Sequence, residues 1–489
     1  MTRHQVVVIG SGAGGGTAAR TLAEAGLDVL LLEMGAALGP EQMRQREERM
    51  IPQLFQDAGA RRTVDQTITV LQGQGLGGST LHNLNLVKRI PPALLEQWER
   101  SQSLAGLSAS LTEDYDWAER ELKVSRIEDH QVNRANQLFS QGCSALGLRQ
   151  ARLLHNRVGC VGSGFCELGC AYNAKMNSAR VMIPAAVAAG AKVETGLRVT
   201  QITSRFGRVN GVRVQSADGR PRQIGADAVV LAASATSSAA LVLASGLDDP
   251  HRRSGRGLHL HPGTTVAALF DTPVKAWSGI PQSIECTELL DAVDPNKRVW
   301  IVPAFAHPAG AAGLMSGFGP ELMGLMRQYR HLAAAAPMLH DYGAGHITAT
   351  SDGRPLIHYR LDPGDARALA QGMAMTARIW LAAGAQRVIL PGIRPIFVSS
   401  LAEAARVEAW DVQPLDPPLV AVHPQGGLAM AGDPRRGPVD PEGRHRGARG
   451  LYVADGSLFP SSTGVPPQLT IYALGRRVGR TVARDLGAG

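Results

Sequence analysis

At 489 residues the chain is long enough for two or three domains, and its 44% hydrophobic and 19% charged residues describe an ordinary globular protein rather than a disordered or fibrous one. The formal net charge of +8 comes from scattered arginines with no basic stripe interleaved with aromatics, so no nucleic-acid partner is expected. The opening MTRHQVVVIG enters a strand near residue 5, which leaves no room for a secretion signal, and no apolar run long enough to span a bilayer follows. The expectation is a cytoplasmic protein.

Val6–Ile9 is a short, wholly apolar run of the kind that forms a central parallel strand. Gly10, Gly12 and Gly15 then make G-x-G-x-x-G, Thr17–Ala25 read as a helix of small residues, and a second apolar strand, Val29–Leu32, ends at Glu33. Each part has a physical job. Gly10 permits a tight turn, Gly12 lets backbone approach a pyrophosphate, and Gly15 lets helix and strand pack closely. The helix N-terminus meets phosphate charge, and Glu33 can accept from a ribose hydroxyl.

Residues 73–89, GQGLGGSTLHNLNLVKR, form a second glycine loop whose amides can turn toward one anionic or carbonyl-rich ligand. With both loops in view, the chain resembles the glucose–methanol–choline (GMC) family of FAD oxidoreductases. The family's LGGS run and following Asn are matched by Leu76, Gly77, Gly78, Ser79 and Asn83. The resemblance implies that Ser79 and Asn83 lie near the pyrophosphate and flavin. His82 stands directly before that Asn, where covalently flavinylated relatives have a histidine bonded to the flavin. The alternative is a histidine packed unbonded at the flavin edge.

The implied fold class is α/β. A discontinuous Rossmann-like FAD-binding domain takes residues 1–98, 178–265 and 416–489, and a second α+β substrate-binding domain takes 266–415. Segment 99–177, a helical stretch containing DYDWAERELKV and then a Cys-rich loop, is unassigned. In that loop, GCVGSGFCELGCAYNAK, Cys160, Cys166 and Cys170 are spaced C-x₅-C-x₃-C. Soft thiolates suit a metal or an iron–sulfur cluster, and some bacterial sugar dehydrogenases of the family carry a three-iron four-sulfur cluster at a similar spacing. The alternative is a structural loop with free thiols, since three thiolates alone do not complete a zinc site. Cys143 and Cys286 read as isolated core residues.

Further along, Val199 falls on the family's adenine-contacting strand. GADAVVLAASATSSAALVLASGL is a strand and helix returning to the FAD sheet, with Ser234 where the family usually has glycine. GRGLHLHP resembles the exit from that domain. DPGDARALAQGMAMTARIWLAAGAQRV reads as one long amphipathic helix opened by Asp362 and Asp365. The Met-rich stretch MSGFGPELMGLMRQYRHLAAAAPML reads as pocket lining or core.

The C-terminal segments AVHPQGGLAMAGDP and LYVADGSLFPSSTGVPPQLTI resemble the family's two signatures. His423, with Pro424 and Gly426, matches the active-site histidine. The strand LYVAD brings Asp455 and Gly456 to its C-terminal end, and a last helix carries Leu474, Val478, Val482 and Leu486 as a buried stripe. Pro467 matches the family's first helical proline, with Gln468 after it. Pro466 stands where the family has a catalytic Asn or His, and a pyrrolidine ring neither donates nor accepts there. The implied activity is hydride transfer from a CH–OH donor to flavin N5, with His423 as general base losing function as pH falls through the imidazole range. The donor would be a small molecule, apolar if the Met-rich stretch lines the pocket, and the electrons would pass to an unidentified acceptor. Pro466 keeps open C–C dehydrogenation or a non-redox lyase on the same fold.

Overall fold

Strand β1 (Arg3–Ile9), helix α1 (Ala13–Glu24) and strand β2 (Val29–Leu32) open the computed structural model, which describes residues 2–247 and 249–488. Val6, Val7 and Val8 are completely buried, as a strand covered on both faces requires. α1 begins four residues before the expected Thr17. Close packing rather than helix propensity decides this: a Cβ at Gly14 would lie 1.6 Å from the Ala454 carbonyl oxygen, and one at Gly15 would lie 1.8 Å from that of Gly10.

β1 pairs in parallel with β2 on one side and with Pro221–Leu231 on the other. Strand Lys192–Glu194 extends the sheet beyond β2, and Leu451–Val453 lies parallel to the C-terminal half of Pro221–Leu231. The antiparallel strands Arg208–Ser216 and Leu197–Arg205 continue from its N-terminal half. The terminal helix Gln468–Asp485 lies on α1, where a Cβ at Gly475 would come within 2.6 Å of the Gly14 carbonyl oxygen. Leu474, Val478 and Val482 are buried as expected, and Leu486 lies just past the helix end. Pro467 has helical backbone angles but precedes the first assigned residue, Gln468.

The second sheet is antiparallel throughout. Its strands run in the order Ile396–Val398, Arg387–Leu390, Val266–Leu269, Leu332–Leu339, Val299–Ala304, Ile284–Cys286 and Gln150–Arg152. Helix Pro363–Ala382 covers it, with Asp362 capping its N-terminus by accepting from the Gly364 amide at 2.7 Å. This helix stops earlier than the sequence pattern suggests, because Gly384 takes a left-handed turn (φ +88°) and the chain re-enters the sheet at Arg387.

The segment 99–177 serves both halves. Its strand Gln150–Arg152 closes the second sheet, while helix Leu107–Glu121 faces the terminal helix, where Arg476 and Arg480 hold the buried Asp114. Cys143 and Cys286 are not isolated. Both are fully buried, and their thiols neighbour each other between helix Arg134–Ala145 and the second sheet. The Met-rich stretch divides into helix Gly319–Arg327 and strand Leu332–Leu339, preceded by a short helix, Pro308–Leu314. Among the described residues no helix is long and apolar enough to cross a membrane.

Candidate active site

Between the two sheets lies a cavity of about 930 Å³. Its first wall is built from the two glycine loops, including Gly10, Gly12, Gly78 and Ser79, with Glu33 beneath them. The facing wall is apolar, with Trp300, Ala304, Ala334, Ala336 and Met338 of the second sheet. Of the residues singled out in the sequence, His82, Asn83, Val199, His423, Asp455, Gly456, Pro466, Pro467 and Gln468 also line it. Gly15 and Gly77 lie behind the wall as packing residues: a Cβ at Gly77 would come within 3.0 Å of Ala179 and Leu81.

The first wall is shaped for an extended anionic ligand. A Cβ at Gly12 would meet nothing within 4 Å and would project into open space, unlike one at Gly10, 2.3 Å from the Ala232 carbonyl oxygen. The Glu33 carboxylate is buried and accepts four hydrogen bonds. They come from the Ser11 amide (3.1 Å) and hydroxyl (2.5 Å), and from the Gly35 (2.9 Å) and Gly75 (3.2 Å) amides. It therefore straps the two glycine loops together. Ser234, at the start of helix Ala235–Ala244, has φ +85° and ψ 156°, a region that suits glycine, and its buried hydroxyl has no partner. Asp455 is fixed by Ser238 and Ser457, and Asn83 donates to Gln468 at 2.8 Å across the mouth of the terminal helix. An open glycine, two glycine loops held in register and an unpartnered hydroxyl fit a dinucleotide such as FAD.

Strand Leu419–Ala421, parallel to Ile68–Val70, delivers His423 to the cavity. The backbone of Gln425 pairs with that of His259 in both directions at 2.8 Å, fixing the segment beyond the ring. Burial holds the His423 pKa down at about 4, so the imidazole is neutral at neutral pH. His82 packs on Phe55 with ring centroids 4.1 Å apart, and its Nε2 is buried without a hydrogen-bond partner. Burial, reinforced by the Lys175 ammonium, holds its pKa at about 3. Pro466 is buried on the cavity wall and offers no hydrogen bond there.

Of the two readings of the cysteine loop, the geometry favours the structural loop with free thiols. Cys160, Cys166 and Cys170 carry free thiols and do not converge: among the described residues no three His, Cys, Asp or Glu side chains gather as a metal requires. The loop folds instead around the buried Lys175 ammonium, which donates to the carbonyl oxygens of Leu81, Asn83 and Cys166. Glycines turn the segment outward against Trp277 and Gly279, and Cys170 Sγ accepts from the Ala174 amide at 3.2 Å. The loop props up the second glycine loop from behind.

A family model described as GMC oxidoreductase matches residues 51–263, and a second with the same description matches residues 341–475. The chain belongs to the GMC oxidoreductase family. A Rossmann-like NAD(P)-binding domain model matches residues 8–62 of this GMC protein. An uncharacterized GMC-type oxidoreductase of Mycobacterium tuberculosis (strain H37Rv) is 36% identical over 494 residues, spanning 100% of this chain and 77% of that protein. A long-chain-alcohol oxidase of Arabidopsis thaliana is 28% identical over 529 residues, covering 99% and 68% of the two chains. The solved structure of pyridoxine 4-oxidase from Mesorbium loti has the same fold, with a TM-score of 0.74 at 18% identity over 98% of this chain and 99% of that one. The protein is thus an oxidoreductase with the two-part GMC architecture.

Three features of the site were not singled out in the sequence: Arg61, Glu167 and a group of histidines behind His423. Arg61 lines the cavity and is held by Asp57 and Gln72. Glu167 lines the mouth, its pKa pushed up by burial to about 7 against the pull of Lys175. His261 and Asp341 stand behind His423, 80 residues apart in sequence and joined by the Asp341 carboxylate accepting from the His261 amide. Only the LHLHP run hinted at them.

Proposed function

We propose that the chain binds FAD along the glycine-loop wall and oxidises a CH–OH donor held against the apolar wall, with His423 taking the hydroxyl proton. FAD bound there supplies the hydride acceptor, and the electrons pass on to a separate acceptor. The observation that carries the reading is the position of His423, a neutral imidazole on the cavity wall where the glycine loops meet the second sheet. Gly10, Gly12 and Gly78 give the pyrophosphate backbone access, Glu33 holds the ribose by exchanging one of its four donors, and Val199 flanks the adenine. Ser79, Asn83, Asp455, Gly456, Pro467 and Gln468 surround the flavin. The Ala- and Met-lined wall favours a slender apolar portion on the donor.

His82 is the residue suited to a covalent link, because its neutral, unpartnered Nε2 faces no competing donor. Acid precipitation separates the two states: colour in the pellet supports a bond, and colour wholly in the supernatant leaves His82 as an edge contact. A second functional reading rests on Pro466, which gives the donor oxygen no hydrogen bond and suits a substrate without a hydroxyl. Anaerobic mixing of the holoenzyme with a panel of alcohols tests both. Bleaching of the flavin by an alcohol supports alcohol oxidation. A flavin that no alcohol in the panel bleaches supports the second reading.

A further inference from the structure

Behind His423 lies a set of side chains that the reaction outlined above does not use. His261 is completely buried, and its Nδ1 lies 3.0 Å from Nδ1 of His423. Two ring nitrogens at that distance share a single proton, so one imidazole donates and the other accepts. His261 is itself rigidly held. Its amide and that of Leu260 donate to the Asp341 carboxylate at 3.1 and 3.0 Å. The Tyr359 hydroxyl donates to the same carboxylate at 2.8 Å, and His259 Nδ1 lies 3.6 Å from it.

The arrangement costs the fold stability in two ways. His261 has φ +55°, a left-handed conformation that non-glycine residues adopt at an expense of about 1 kcal/mol or more. Its Nε2 is buried with no hydrogen-bond partner. An apolar residue at 261 would avoid the orphaned nitrogen, and a glycine would avoid the backbone strain. Nothing in the packing explains why an imidazole is kept there. The contact with His423 does.

Resting on the reading of His423 as the base, we propose that His261 is its positioning residue, accepting a hydrogen bond from His423 Nδ1–H so that Nε2 of His423 is left bare toward the cavity. The opposite tautomer would place the proton on Nε2 and leave no base for a donor hydroxyl. When His423 takes the hydroxyl proton at Nε2, its Nδ1–H bond to His261 becomes charge-assisted, and the Asp341 carboxylate behind His261 favours the cation through space. The pair thus stabilises the imidazolium from behind the ring, while Pro466 offers the donor oxygen no hydrogen bond from in front.

The test compares holoenzyme variants. His261→Asn keeps a polar atom near the Nδ1 position and tolerates the left-handed backbone, whereas His261→Ala removes the partner. In ¹⁵N-histidine-labelled holoenzyme, the His423 signals, assigned by their loss in His423→Ala, should show a protonated Nδ1 and a bare Nε2. In His261→Ala they should show a mixture of tautomers. Under anaerobic mixing with 1-octanol, His261→Ala should reduce its flavin about 10²-fold more slowly at unchanged alcohol affinity, with most of the rate restored in His261→Asn. An Nε2-protonated His423 in the wild type, an unchanged tautomer in His261→Ala, or an Asn variant as slow as the Ala variant overturns the proposal. His423→Ala is the control: full-speed reduction there sinks the functional reading, while the tautomer result judges the pairing independently.

Discussion

The acidity of His423 sets a sharp test. An imidazole at its ordinary pKa near 6.5 would be only about 1% neutral at pH 4.5, so a rate that needs the neutral base would fall about 100-fold from its plateau. With burial holding His423 at about 4, about three quarters of the sites stay neutral at pH 4.5, and the rate falls by about a quarter. Stability changes over the same interval and must be kept apart from chemistry. His82, at about 3, and His155, His423 and His445, at about 4, are held neutral chiefly by burial. At each of these histidines the unfolded chain binds more protons than the folded one between pH 6.5 and 4, whereas Glu167, raised to about 7, works in the opposite sense. Each such histidine therefore removes up to about 1.4 kcal/mol of stability per pH unit as pH falls through that window. The assay is an anaerobic pH-jump in a stopped-flow instrument, holding enzyme at pH 7.5 and mixing it with alcohol in buffers down to pH 4.5. The flavin-reduction rate should be flat to about pH 5. An acid limb centred between pH 6 and 7 would refute the placement of a half-buried, neutral His423 as the base.

Two glycines of one loop should fail differently. Gly14→Ala forces a Cβ to within 1.6 Å of a backbone oxygen and should cost about 3 kcal/mol or more, seen as lost soluble protein or an early melting transition. Gly12→Val points into open cavity and should leave folding intact by circular dichroism while the purified protein carries no FAD. Ser234→Gly relieves backbone strain and removes an unpartnered hydroxyl, so it should stabilise the flavin-free protein by about 1 kcal/mol in a urea titration. Pro466→Asn adds a hydrogen-bonding group to the cavity wall and should leave alcohol oxidation at or above the wild-type rate. Abolished turnover would instead assign the proline to a hydroxyl-free substrate.

The β1–α1–β2 unit was legible because its cause is local: an apolar run, glycines at fixed offsets and a terminal acid all fall within about 30 residues. His423 and His82 were legible for a different reason, since each sits in a short run that resembles a family pattern. The early start of α1 was not, because Ala13–Gly16 are poor local helix signals and only contact with Ala454 and the terminal helix explains them. Nor did spacing disclose the fate of the cysteines, whose loop is shaped by left-handed glycines and a buried ammonium drawn from outside the C-x₅-C-x₃-C run. The partnership of His261 with His423 spans 162 residues. It exists only because a domain-exit strand and a late signature meet at the rim of the second sheet. The thiols of Cys143 and Cys286 likewise meet only through strand order.

The packing of the terminal helix on α1 has a consequence for biosynthesis. A ribosome makes α1 among the first residues of this chain, yet the surface that α1 presents to Gly475 and Gly479 finds its cover only when residues 468–485 have emerged. The same late segment supplies Asp455, Gly456 and Pro466–Gln468 to the cavity. Until then the small-residue face of α1 is uncovered on the growing chain, a natural client surface for chaperones. Completion of the cavity therefore waits for this late segment, and a nascent chain stalled before residue 450 should hold no flavin however long it waits.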